Sequence, residues 1–139
     1  MKILAISDVP SKALWDYGTR EHLEGIDLIL SCGDLPQKYL EYLTNFTAAP
    51  ILYVHGNHDG SYRQHEPGGC TCVDDEVYVW KGLRIMGLGG SIKYNMRPDS
   101  YQYTEKEMSG RVRKLRRKAH KAGGIDLLLT HSPAAGLND

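Results

Sequence analysis

The feature that most constrains this chain is a set of five short apolar runs, each followed at once by residues that carry chemistry. Ile3–Ile6 leads into Ser7–Asp8, Leu28–Leu30 into Cys32–Gly33–Asp34, and Ile51–Val54 into His55–Gly56–Asn57–His58–Asp59. Leu83–Leu88 leads into Gly89–Gly90–Ser91, and Ile125–Leu129 into Thr130–His131. Helical patterns over about Ser11–Leu23 and Pro36–Phe46 separate the first three runs. Ser11 is placed to cap the first helix, and Pro36 sits in the first turn of the second. This βαβαβ rhythm predicts buried parallel strands joined by helical crossovers. In such sheets the carboxyl ends of the strands share one edge, where ligands bind. Asp8, Asp34, Asn57, His58, Ser91 and His131 are therefore expected at a common edge. A fold does not require polar groups there, because each must be solvated or paired.

The second half changes character. Val77–Trp80, a Lys81–Gly82 turn and Leu83–Leu88 read as a hairpin, and a basic helix precedes the last strand. Residues 1–70 carry 5 Lys/Arg against 9 Asp/Glu, and the remainder 12 against 8, although the whole chain is neutral. Seven basic residues fall between Arg111 and Lys121 with no acid among them. Met108, Val112, Leu115, Ala119 and Ala122 recur at helical spacing, so they form an apolar stripe with a solvated basic face around it. The run has no interleaved aromatics to stack bases, so dedicated nucleic-acid binding is not expected.

With 139 residues the chain has the length of a single domain, 1–139, and 41% apolar residues suffice for a core. Its apolar runs are far shorter than the roughly 18 residues of a membrane span. Asp8 interrupts the N-terminus too early for a signal peptide. Three cysteines, Cys32, Cys70 and Cys72, form no disulfide framework. A cytoplasmic protein without membrane association is expected.

Carboxylates, imidazoles and an amide oxygen, without thiolate, suit Mn²⁺, Fe or Zn²⁺. Two carboxylates that each follow a strand can gather one or two such ions, with one carboxylate bridging. Paired ions clamp a phosphoryl group and generate hydroxide near neutral pH. Glycines beside Asp34 and Asn57 fit turns pressed against a ligand. His58, next to Asn57, is placed to donate a proton to a leaving oxygen.

Asp8, Gly33–Asp34, Gly56–Asn57–His58–Asp59 and Thr130–His131 resemble, in order, the calcineurin-like metallophosphoesterases. Those enzymes carry DxH, GDxxD, GNH(D/E), a later His and finally GHxH. The resemblance spans Asp8 to His131 and implies an α/β fold of two packed mixed β-sheets flanked by helices. It implies that Asp8 binds a first metal, Asp34 bridges, and Asn57 and His131 bind a second. His58 would then hydrogen-bond the phosphate or the leaving group. The implied activity is hydrolysis of phosphomonoesters or phosphodiesters by metal-activated hydroxide, on a phosphorylated small molecule or nucleotide. Three positions depart from the pattern: Pro10 replaces the His of DxH, Gln37 replaces the second acid of GDxxD, and no GHxH appears before Asp139. A shortened member is expected, with an exposed sheet edge that favours homo-oligomers.

Two other functions stay open: a catalytically degenerate binding or scaffold subunit, and a single-sheet, flavodoxin-like phosphate-binding domain. Several residues also have plain structural readings. His55 is expected to be structural, Cys32 to belong to the core, and Cys70 and Cys72 to be reduced, half-buried thiols. Gly89–Gly90–Ser91 is either a tight turn or a phosphate-approach loop. His65 and Tyr62 are candidates to reach substrate.

Overall fold

The computed structural model describes residues 1–137. Four parallel strands, β1 (Ile3–Ile6), β2 (Leu28–Ser31), β3 (Ile51–Tyr53) and β4 (Thr71–Cys72), lie side by side in that order. Three helices, α1 (Lys12–Trp15), α2 (Thr19–Leu23) and α3 (Gln37–Thr44), belong to the crossovers. The alternation of side chains along β2 and β3 divides the core in two. Ile29, Ile51 and Tyr53 pack with Leu14, Leu23, Tyr39, Leu40 and Leu43 on the helical side. Leu28, Leu30, Leu52 and Val54 meet Ile85 and Leu129 on the other.

Ile85 and Leu129 come from a second sheet, ordered β5 (Val77–Trp80), β6 (Leu83–Leu88) and β9 (Leu127–Thr130). The β5–β6 hairpin is antiparallel, and β9 joins β6 in parallel with Gly87 opposite Leu129. At the predicted turn, Lys81 (φ 46°) and Gly82 (φ 80°) are both left-handed. That is the two-residue geometry whose twist matches the flanking strands. A small parallel pair, β7 (Ser91–Ile92) and β8 (Gln102–Tyr103), leads into the basic helix α4 (Glu105–Lys121). A capping box starts α4: the Thr104 hydroxyl accepts from the Glu107 N–H, and the Glu107 carboxylate accepts from the Thr104 N–H. Packed sheets flanked by helices match the architecture implied by the resemblance and exclude the single-sheet alternative.

Several local expectations need correction. The helix expected over Ser11–Leu23 is broken in two at Gly18, whose φ is 67°. The buried Thr19 hydroxyl donates to the Leu14 carbonyl, taking an acceptor that a continuous helix would use. Ser11 occupies the cap position of α1, but its side chain makes no capping hydrogen bond. Pro36 is the residue before α3 rather than within its first turn. β1 was expected to be buried but is an edge strand, with Ile3 37% exposed, because the three-stranded second sheet does not cover it. On α4 only Leu115 of the apolar stripe is buried, and Val112 is exposed. The last strand starts two residues later and ends one residue later than expected. It forms the edge of the second sheet among the described residues, with Leu128 outward. No helix is long and apolar enough to cross a membrane among the described residues.

Candidate metal centre

The first two strands end in the same unusual way: Asp8 (φ 61°) and Asp34 (φ 58°) both adopt the left-handed conformation. Aspartate tolerates that region better than most residues with a Cβ. The two turns are tied together by the Asp8 N–H, which donates to the Gly33 carbonyl at 3.1 Å. The Ser7 hydroxyl donates to Asp8 Oδ2. Backbone proximity then brings the third loop in. A Cβ on Gly33 (φ 96°) would lie 2.3 Å from the Gly56 nitrogen, and one on Gly56 would lie 2.0 Å from Asp34 Oδ1. Both positions are open only to glycine.

Asp59 clamps these loops. Buried to 4% exposure, it accepts from the Asp34 N–H at 2.9 Å and the Gly56 N–H at 2.7 Å through the same oxygen, Oδ2. Burial raises its pKa above the usual carboxylate value, against the pull of those two donors. The His58 N–H in turn donates to Asp34 Oδ1 at 2.8 Å, leaving Oδ2 of Asp34 turned towards two imidazoles. His131 Nε2 lies 3.6 Å from it and His58 Nε2 4.0 Å.

Ligand atoms of Asp8, Asp34 and His131 all lie within 4.8 Å of one another. Asn57 joins them through Oδ1, 2.8 Å from His131 Nε2. His131 Nδ1 is 2.8 Å from the Cys32 carbonyl, which can only accept, so Nδ1 carries the proton. Asn57 Nδ2 donates to the Tyr94 hydroxyl at 2.9 Å, so its oxygen faces His131. A neutral His131 therefore points a lone pair at a second acceptor. An imidazolium, a bound cation, or rotation of the Asn57 amide with the Tyr94 hydroxyl donating each relieves that opposition, and Asp8 and Asp34 supply the charge that a cation needs. The donor set fits a divalent metal of the Mn²⁺, Fe or Zn²⁺ kind. Burial, with the nearby Asp8, raises the Cys32 thiol pKa, consistent with a set of nitrogen and oxygen donors alone.

The structure thus brings together Asp8, Asp34, Asn57 and His131. His58 stands beside them with its side chain 57% exposed. Ser91 does not join: its N–H donates to the Tyr101 carbonyl and its hydroxyl to the Ile92 carbonyl. Gly89 and Gly90 donate to Asp74 and to the His55 carbonyl, so this segment is a structural turn and not a phosphate cradle. Neither Tyr62 nor His65 reaches the cluster. Tyr62 is buried with its hydroxyl donating to the Leu35 carbonyl, and His65 pairs with Glu41 at 2.8 Å. Gln37, in place of the family's orienting acid, donates to the Ser61 hydroxyl and the His65 carbonyl rather than to His58. The Pro10 side chain offers no ligand atom.

Two supporting groups have no signal in the sequence pattern. One is Tyr94, whose hydroxyl accepts from the Asn57 amide. Tyr94→Phe removes that hydrogen bond, and outer-sphere losses of this kind typically weaken metal affinity about 10-fold or more. Calorimetric titration with Mn²⁺ checks this; unchanged affinity would show that the loop backbone alone orients Asn57.

The other is a buried network behind the metal loop. Asp74 accepts from Arg111 Nη2 and the Gly89 N–H, each at 2.8 Å, and its Oδ2 lies 2.9 Å from His55 Nδ1. Arg111 also stacks over Tyr103, 4.0 Å from the ring centroid. His55 is therefore structural, as expected, and stacks on Tyr101 at 4.0 Å. Burial alone would raise the Asp74 pKa, but His55, the Gly89 N–H and Arg111 hold it below the usual carboxylate range. The stabilisation is present above the unfolded value near pH ~3.9 and is lost as pH falls towards the lower folded one. Asp74→Asn breaks this buried pairing and costs about 3 kcal/mol at neutral pH. Urea unfolding between pH 7 and pH 3 is expected to show a steeper acid loss in the wild type than in the variant.

Comparison with known proteins agrees with this geometry. The family described as the calcineurin-like phosphoesterase superfamily domain matches residues 1–138. No curated protein matches the chain.

Proposed function

We propose that this chain, which belongs to the calcineurin-like phosphoesterase superfamily, hydrolyses phosphomonoester or phosphodiester bonds with divalent metal held by Asp8, Asp34, Asn57 and His131. The observation that carries this reading is the convergence of ligand atoms of Asp8, Asp34 and His131 within 4.8 Å of one another, with the Asn57 amide 2.8 Å from His131 Nε2. When bound, a divalent ion polarises phosphoryl oxygens and lowers the pKa of its water. The chain's own residues supply the rest. The Cys32 carbonyl holds His131 in the ligating tautomer, Tyr94 holds Asn57 with its oxygen inward, and Asp59 locks the two loops that carry Asp34 and Asn57. The exposed imidazole of His58 is free to hydrogen-bond the phosphate and to give a proton to the leaving oxygen.

The substrate class is a phosphorylated small molecule or nucleotide, and three free thiols support a reducing compartment such as the cytoplasm. Hydrolysis of a phosphate ester that stops with EDTA and returns with Mn²⁺ supports the reading, and EDTA-insensitive hydrolysis would overturn it. His58→Ala is expected to lower kcat by about 100-fold, the usual worth of a positioned proton donor. Metal content stays the same, because the backbone N–H to Asp34 is kept. A scaffold role is the second reading, favoured by Pro10 in place of a ligand; no turnover in the metal-loaded protein would select it.

A further inference from the structure

We infer that the cleft beside His58 is a leaving-group subsite selecting a neutral, polyhydroxylated group, a short polyol or a single sugar; this rests on the phosphoesterase reading of the adjoining site. The cleft encloses about 260 Å³, below the range of about 300–1,000 Å³ typical of drug-sized ligands, so it takes a fragment. Asn57 and His58 belong both to its lining and to the metal loop, which sets an occupant beside the proton-donating imidazole.

Ser61, Gln64, Arg97 and Asp99 complete the chemistry of the lining. One guanidinium and one carboxylate make it neutral in sum, so it does not favour an occupant of net charge. Neither Arg97 nor Asp99 has an ion-pair partner among the described residues. The Ser61 hydroxyl accepts from Gln37 Nε2 at 2.9 Å, which leaves its proton free to donate. The wall therefore presents unused donors on Arg97, Gln64 and Ser61 and an unused acceptor on Asp99. Hydroxyl groups, which donate and accept at once, match that mixture. No Phe, Tyr or Trp ring lines the cleft, so its stacking faces are limited to the His58 imidazole and the Arg97 guanidinium. Asp99 meets the turn that follows His58 closely: a Cβ on Gly60 would lie 1.7 Å from the Asp99 carbonyl.

Glycerol 3-phosphate and propyl phosphate test this, since they differ only in the hydroxyls of the leaving group. Titration of the Zn²⁺-loaded protein, followed by amide NMR with released phosphate monitored in parallel, separates binding from turnover. Glycerol 3-phosphate is expected to bind about five- to tenfold more tightly, the worth of about one net hydrogen bond. Its shifts should fall on Gly60, Ser61 and Asp99, and Arg97→Gln and Asp99→Asn should each bring the ratio of the two affinities towards one. Equal affinities in the wild type, or a preference that survives both substitutions, would overturn the proposal. Hydrolysis of the two esters is then read separately with metal. A binding preference without turnover removes the phosphoesterase reading and keeps the cleft's selectivity, while turnover without a preference does the reverse.

Discussion

Asp34→Asn is expected to abolish tight divalent-metal binding and to lower kcat/KM by more than about 100-fold, beyond the ~10–100-fold typical of losing an outer-sphere partner. Asp34 is the centre of the cluster: Oδ1 accepts from the His58 N–H, while Oδ2 lies 3.6 Å from His131 Nε2. The substitution isolates charge from shape. Asparagine tolerates the left-handed conformation and can still accept the His58 N–H through its amide oxygen. Stability should change by no more than about 1 kcal/mol by urea unfolding, because the shape and the accepting oxygen are kept. Activity retained at more than a tenth of wild type would mean that the metal is held elsewhere.

Gly33→Ala is the counterpart, expected to act through the backbone. An alanine there meets a φ of 96°, and its Cβ would lie 2.3 Å from the Gly56 nitrogen and 2.6 Å from the Gly56 Cα. The obstruction is the main chain of His55–Gly56, so no flexible side chain can move aside. Strain of this kind and overpacking together cost about 3 kcal/mol. For a domain of this size that corresponds to a fall in Tm of about 10 °C. Relief requires separating the Asp34 and Asn57 loops, so metal affinity should fall with stability. A variant as stable as the wild type that still binds metal would contradict the close approach.

The parts of this fold that follow from local pattern were legible in the sequence. The apolar runs of β2 and β3 are buried on both faces, and the Lys81–Gly82 turn permits only a tight hairpin. Convergence of Asp8, Asp34, Asn57 and His131 was legible because parallel strands bring their carboxyl ends to one edge. Long-range contacts were not. The split of the first helix depends on the Thr19 hydroxyl reaching the Leu14 carbonyl, and β1 looks buried until the reach of the second sheet is known. Arg111 is hidden within a basic run whose other members face solvent, although it alone enters the Asp74 network. Tyr94 lies 37 residues from Asn57, and no spacing rule connects them. Asp59 stood within a recognised motif, but its role as a clamp on two N–H groups appears only when the loops are assembled.

The central claim is that Asp8, Asp34, Asn57 and His131 form a metal centre. The most direct test is isothermal titration of the metal-stripped chain with Mn²⁺, alongside Asp34→Asn, with metal content checked after desalting. The account predicts at least one ion retained per wild-type chain and none retained by the variant. Wild-type protein that retains no ion, or a variant that binds as the wild type does, would contradict it.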